Sequence, residues 1–293
     1  MKQKIILSLA GLKLALESSF PMKLSDTLSS FCTASDTEDY VLKIKETEEL
    51  ILPCREICGE DLLQNYYESN GFCYAAGKPG TAGVIVMTEY LRDFSRMTMY
   101  IKKNREAGLF ESFDKVLQLF PLRSLLAGKD ALMLHASQIA VNGKGILFTA
   151  PSGTGKTTQA RLWKKLAGAE IVCNDRTLLR REKECFFTYG YPVDGSNPVC
   201  STKRYPLGAI VVLRQSGENR IERLRPAKAL KYLMEQTVAD VWNPQQQEQL
   251  LKLWLQLLEH CPVYRLDCRP NGDAVVCLKE KLTESGVLQI DEY

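Results

Sequence analysis

The stretch from Gly145 to Ala160, reading Gly-Ile-Leu-Phe-Thr-Ala-Pro-Ser-Gly-Thr-Gly-Lys-Thr-Thr-Gln-Ala, constrains this chain more than any other. Ile146, Leu147 and Phe148 are a short apolar run of the kind a buried strand needs. Ser152, Gly153, Thr154 and Gly155 follow as a loop of small residues, and Lys156, Thr157 and Thr158 open a helical pattern. Ala160, Trp163 and Ala167 fall on one helical stripe beside Leu162 and Leu166, with Gly168 placed to end the helix. Strand, small-residue loop, Lys-Thr and helix, in that order, form the signature of a phosphate-binding P-loop.

The chemistry of such a loop dictates its residue types. Backbone amides must approach phosphate oxygens closely, so side chains there must be small. The helix start adds free N–H groups and a positive dipole end. Lys156 can reach the β- and γ-phosphates, and the Thr157 hydroxyl suits Mg²⁺. The first position of the motif is Ala150 where glycine is usual, but Gly153, Gly155, Lys156 and Thr157 keep the pattern. Ile171-Val-Cys173 reads as a short strand that delivers Asp175, 18 positions after Thr157, to the mouth of the loop. Asp175 is therefore the expected Mg²⁺ carboxylate, and ATP with Mg²⁺ the expected cofactors.

With 293 residues the chain can build one large domain or two smaller ones. A formal charge of +3 is too small to argue for nucleic acid or an acidic membrane surface as a partner. The ten cysteines are scattered, which argues for reduced thiols in a cytoplasmic protein and against a disulfide scaffold. Cys54 and Cys58 stand four apart with no second pair or histidine nearby, so they read as thiols and not as a metal site. Lys2 and Lys4 precede the apolar run Ile5–Ala10, but Lys13 interrupts it and no clean cleavage site follows, against a signal peptide. No stretch approaches the roughly 20 apolar residues of a membrane span.

Residues 1–108 read as a β-rich scaffold or recognition domain. Lys4–Leu9 and Leu12–Leu16 flank Gly11 as a hairpin, and Tyr40–Lys45, Gly71–Ala76, Gly83–Met87 and Met97–Ile101 are further strand candidates. Residues 109–293 read as the loop-bearing α/β domain. It opens with a helix over Leu109–Leu126, broken or kinked at Pro121. Ala131–His135 and Ile139–Val141 are strands, and Asn142-Gly143 is a hairpin turn into the loop strand. Arg180–Thr188 reads as a hairpin and Gly208–Leu213 as a buried strand. Helical stripes follow at Ala227, Leu230, Met234, Val238 and Val241, and at Leu250, Leu251, Trp254, Leu257 and Leu258. Val263–Leu266 is a last strand, and Asp273 is the expected cap of a final helix.

Two further groups are candidates for the site. His135 ends an apolar strand, where it is either a satisfied structural residue or a catalytic one. Asp194, Lys203 and Arg204 lie in a loop rich in Gly, Pro, Ser and Asn over residues 189–206, where they are either solvated or grip a substrate. His260 reads as a helix C-terminal residue.

From Leu132 to Leu213 the chain resembles the kinase domain of HPr kinase/phosphorylase, a group structurally akin to ATP-dependent phosphoenolpyruvate carboxykinase. The resemblance rests on His135 before the loop, Ser152-Gly-Thr-Gly-Lys-Thr157, the closely following Asn174-Asp175, and Leu207-Gly-Ala-Ile-Val-Val-Leu213. It also looks like a branch that accompanies peptide natural-product pathways. The resemblance implies an α/β P-loop kinase domain behind a β-rich leader, with Lys156, Asp175 and His135 as catalytic residues. It implies transfer of the γ-phosphate to a serine hydroxyl of a peptide or small protein, with homo-oligomerisation possible as in that family. A kinase for a serine-like metabolite and a carboxykinase-type enzyme fit the same resemblance. One departure bears on mechanism: HPr kinases carry two adjacent aspartates where this chain has Asn174-Asp175. Asn174 cannot accept a proton, so Asp175 combines both duties, or His135 or Asp194 serves, or the protein binds nucleotide without turnover.

Overall fold

The structure, a computed structural model, describes residues 3–53, 56–79, 83–103, 110–193 and 199–289. The fold is mixed α/β and divides into two compact units. The first contains Met1–Gly128 and Asp240–Gln247, the second Lys129–Ala239 and Glu248–Tyr293.

The first unit is built on a sheet of β1 (Gln3–Leu9), β2 (Leu12–Ser18), β3 (Tyr40–Thr47), β4 (Gly59–Glu60), β5 (Gln64–Ser69), β6 (Phe72–Gly77), β7 (Val86–Leu91) and β8 (Met97–Lys102). Its order is β1-β2-β3-β8-β7-β6-β5-β4, parallel at β2–β3 and β3–β8 and antiparallel elsewhere. Period-two patterning sets the faces: Leu42 and Ile44 of β3 are buried while Lys43 and Lys45 are exposed. β1 and β2 join through Ala10 (φ 49°) and Gly11 (φ 73°), the left-handed pair that matches strand twist in a two-residue hairpin. The apolar run at Gly83 starts its strand later than its composition suggests, at Val86.

A short helix α1 (Asp26–Ser30) lies between β2 and β3, and β8 is followed by α2 (Phe113–Leu119) and α3 (Leu122–Ala127). The helix expected over 109–126 is broken at Pro121, the position at which its sequence places a break, into α2 and α3. Phe120 before Pro121 is extended (ψ 137°), because the proline ring excludes helical backbone from the preceding residue. Both helices belong to the first unit. Arg123 of α3 bonds Asp61, the Tyr66 hydroxyl and Asp240, and Asp240 also accepts from Ser124 and Gln246. This buried polar network ties residues 240–247 to the unit.

The second unit contains β9 (Ala131–Val141), β10 (Lys144–Thr149), α4 (Lys156–Ala167), β11 (Glu170–Cys173), β12 (Arg176–Glu182), β13 (Cys185–Gly190), β14 (Arg204–Gln215), β15 (Arg220–Arg223), α5 (Pro226–Gln236), β16 (Thr237–Val238), most of α6 (Pro244–His260), β17 (Val263–Cys268) and α7 (Gly272–Glu284). β9 is one long strand. Its first half, Ala131–His135, pairs with β12, and its second half, Ala136–Val141, pairs with β10. β10, β14 and β17 run parallel to one another. Phe148, Val211 and Leu266 of these strands, Ala160 and Trp163 of α4, and Val275 and Leu278 of α7 are buried in one core.

The helical stripes differ in detail from their periodic reading. In α5 the buried residues are Ala229 and Leu233, whereas Val241 lies beyond the helix and is 79 % exposed. Thr237-Val238 leaves the helix to pair with β9. In α6 Leu250, Trp254 and Leu257 are buried as their stripe suggests, but the face turns slightly so that Leu253 is buried and Leu251 exposed, and the Trp254 indole N–H donates to Thr237. α7 is capped by Asn271, whose side chain accepts from the Ala274 N–H; Asp273 lies inside the first turn.

Candidate functional site

The loop 150–155 links the end of β10 to the start of α4. Gly153 (φ 78°) and Gly155 (φ 114°, ψ 19°) carry the backbone through left-handed space, and Gly155 is the N-cap of α4. A residue with a Cβ rarely adopts such angles, so glycine is needed here for conformation. The cap has no side-chain acceptor, and the first turn of α4 has no acidic residue. Its N–H groups and the dipole end are left for an external anion. Thr157 and Thr158 stand in this first turn, and Ser152 and Thr154 in the loop before it.

Lys156 is buried beneath the loop. Its Nζ lies 2.8 Å from the Ala150 carbonyl, 3.3 Å from the Pro151 carbonyl and 2.8 Å from His135 Nε2. His135 Nδ1 in turn is 3.2 Å from Asp175 Oδ1. The Lys156 ammonium can only donate, so Nε2 accepts and the neutral ring carries its proton on Nδ1, on the side that faces Asp175. Burial, reinforced by the Lys156 ammonium, holds the His135 pKa below its usual 6.5 against the opposing pull of Asp175. Burial likewise lowers the Lys156 pKa, with Asp175 partly offsetting it.

Strand pairing explains why these residues meet. His135 is the residue at which β9 passes from β12 to β10: it faces Arg176, and its neighbour Ala136 faces Thr149. The Thr149 hydroxyl donates to the His135 carbonyl (2.9 Å), and the Ala136 N–H donates to the Asp175 carbonyl (2.9 Å). Thr149, the last residue before the loop, and the main chain of Asp175 after β11 are therefore both fastened to one peptide unit, that between His135 and Ala136.

Asn174 is 8 % exposed, and its carbonyl accepts from the Ser137 hydroxyl at 2.6 Å. Its side-chain oxygen is buried with no protein partner. Asp175, next to it, keeps 40 % of its side chain in solvent and faces Arg176 Nε at 3.9 Å. The two neighbours thus occupy different environments, the amide inside and the carboxylate at the mouth.

Lys203 pairs with Glu170 (2.9 Å), and Arg204 pairs with Glu182 (2.6 Å) while lying over the Phe187 ring. Neither has a contact with His135, Lys156 or Asp175 among the described interactions. Asp194 lies outside the described residues, as does Cys54. No disulfide joins the described cysteines, and among the described residues no three His, Cys, Asp or Glu side chains cluster as a ready-made metal site. No described helix is long and apolar enough to cross a membrane.

Sequence reasoning missed Arg176 and Gln215. The Gln215 amide donates to the Gly153 carbonyl at 3.2 Å and so braces the loop from β14. The signal for it was available: Arg214-Gln215 is a polar pair closing the buried run Val211–Leu213, at the carboxyl end of a parallel strand, where α/β sheets place ligands.

Fold and site together define an α/β protein with a glycine-rich loop at a strand–helix junction, backed by a Lys–His–Asp chain. Residues 111–276 match the family described as SynChlorMet cassette protein ScmC, and the chain belongs to that family. No curated protein is similar to it at a significant level. Among solved structures, the Hpr(Ser) kinase/phosphatase from Coxiella burnetii is similar over 55 % of this chain and 99 % of its own, with 12 % identity and a TM-score of 0.30. A likeness that faint has no bearing on the reading of the site.

Proposed function

We propose that this chain is an ATP- and Mg²⁺-dependent phosphotransferase that moves the γ-phosphoryl group to a serine hydroxyl of a peptide or small protein. The observation that carries this reading is the Lys156–His135–Asp175 chain opening beside the unfilled helix start. A cation for phosphates, a neutral imidazole and a carboxylate converge there. The acceptor class follows from the motif resemblance, and a serine-like metabolite is its competitor. A cytoplasmic setting is part of this proposal, in keeping with described cysteines that form no disulfide.

The residues suit Mg²⁺. Asp175 and the Thr157 hydroxyl supply hard oxygens, and the small protein donor set leaves the other positions to water and phosphate, as this ion prefers. When bound, Mg²⁺ would neutralise charge on the β- and γ-phosphates. In this mechanism Lys156 exchanges His135 and the Ala150 carbonyl for phosphate oxygens. His135 Nε2, released from Lys156, accepts the proton of the acceptor hydroxyl while the nearby Asp175 carboxylate stabilises the imidazolium that forms. The hydroxyl oxygen bonds to the γ-phosphorus as the bond to the β–γ bridging oxygen breaks, and nucleoside diphosphate leaves. The proton passes from His135 to solvent. Asn174 then needs no proton-accepting role, in line with its buried position.

Transfer of labelled γ-phosphate from ATP to serine-containing peptides tests this. Transfer above a Lys156→Ala control is the expected result, and neither transfer nor hydrolysis above that control would sink the claim. The buried amide at Asn174 favours a second reading, nucleotide binding without turnover. It predicts ATP affinity by calorimetry with no product.

A further inference from the structure

The loop has a second flank. β9, with His135, adjoins β10 on one side, and β14 adjoins it on the other. On the β14 side, still within the second unit, lies an open cavity of about 480 Å³. Its walls are Ala150–Thr154 of the loop, Val212–Gln215 of β14, Tyr232 and Glu235 at the end of α5, and Arg265 of β17. The catalytic reading uses none of the last three. The volume falls within the roughly 300–1,000 Å³ of small-molecule sites.

The charges say what the cavity suits. Arg214 grips Asp267 with two bonds, at 2.8 and 2.6 Å. Arg265, whose side chain is 15 % exposed, pairs with the same Asp267 at 3.2 Å and with Glu222 at 3.4 Å. Both guanidinium groups are thus held by carboxylates, so neither stands free on this flank for a further phosphate. What remains open is an apolar wall of Val212, Leu213 and Pro151, the Tyr232 ring, and the Glu235 carboxylate, which has no ion-pair partner among the described residues.

We infer that this cavity holds the nucleoside of the nucleotide, with Tyr232 stacking on the base and Glu235 accepting from the ribose hydroxyls. The inference rests on the phosphate-loop reading above. A triphosphate lying across the loop has two ends. With the γ end at His135 and Asp175, the α end and its nucleoside fall on the β14 side, where the cavity opens at the carboxyl ends of the parallel strands β10, β14 and β17. An aromatic ring serves a base because every base has a π-face, and a carboxylate is an acceptor for two neighbouring hydroxyls.

The test compares ATP with inorganic tripolyphosphate, by calorimetry on the full chain in Mg²⁺ buffer. Tyr232→Ala is expected to weaken ATP about tenfold or more and to leave tripolyphosphate unchanged, with Tyr232→Phe near wild type. Glu235→Gln is expected to weaken ATP but not 2′,3′-dideoxy-ATP. Unchanged tripolyphosphate binding also shows that the variant is folded. ATP binding that Tyr232→Ala leaves intact, or an equal loss of both ligands, would overturn the nucleoside assignment while leaving the loop in place. If neither ligand binds in a Lys156-dependent way, the phosphate-loop reading itself fails.

Discussion

The Lys156 ammonium and His135 Nε2 lie 2.8 Å apart, with the other imidazole nitrogen on Asp175. Two groups that carry positive charge when protonated share one half-buried site, so the fold favours a neutral His135.

The first prediction follows from that pair. The folded-state pKa of His135 lies below its usual 6.5, so the unfolded chain binds the proton more readily. Stability contributed here is fully present above that usual value and is lost as pH falls through the folded pKa. Phosphotransfer by the proposed mechanism, in which neutral His135 takes the proton, should fall on the same acid limb. His135→Gln should flatten the stability slope between about pH 5 and pH 7, measured by urea unfolding across pH. An unchanged slope would place the titration elsewhere.

Gly155 at φ 114° cannot be replaced without moving the loop. Gly155→Ala should lose about 1–3 kcal/mol from strain, or relax by abandoning the N-cap. Either way tripolyphosphate affinity should drop at least about tenfold, while far-ultraviolet dichroism stays that of the wild type. Wild-type affinity in this variant would show that the loop does not need this backbone conformation.

Asn174→Asp restores a carboxylate pair to the sequence but sets it in a buried position where the present side-chain oxygen has no partner. At neutral pH the cost should be about 1–3 kcal/mol, since a buried unmatched group pays its desolvation in full. Protonation removes the charge, so the deficit should shrink as pH drops toward about 4. Denaturant titrations at both pH values measure it; a variant as stable as wild type at neutral pH would mean the position is solvated.

In the first unit, Asp240 has no solvent-exposed side-chain surface and holds Arg123, Ser124 and Gln246. Asp240→Ala leaves the Arg123 guanidinium short of a partner and should cost about 3–5 kcal/mol of that unit's stability. Proteolysis within Met1–Gly128 should quicken in this variant, and an unchanged cleavage rate there would remove the network from the stability of the unit.

Much of the loop-bearing unit was legible along the chain because its signals are local. Small residues between an apolar run and Lys-Thr mark a loop between strand and helix, and Gly168 ends α4 in left-handed geometry (φ 65°) as its position suggests. Asn142-Gly143 turns with φ values of 48° and 71° for the same reason. Stripes were less legible. Leu251 and Leu253 are equally apolar, and only the tertiary orientation of the face that Leu250, Trp254 and Leu257 share decides which one is buried.

By itself the sequence determined the strand–loop–helix junction, the lysine that opens the helix, and the nearness in sequence of Asn174-Asp175, because φ preference and hydrophobic period act over a few residues. Tertiary structure alone decided that His135 meets Lys156 and Asp175, that Asn174 is inside, that Lys203 and Arg204 are paired with glutamates, and that a cavity opens beyond β14. Those outcomes depend on the register of β9 against both β10 and β12, which is set by pairing between strands distant in the chain and by which faces they bury.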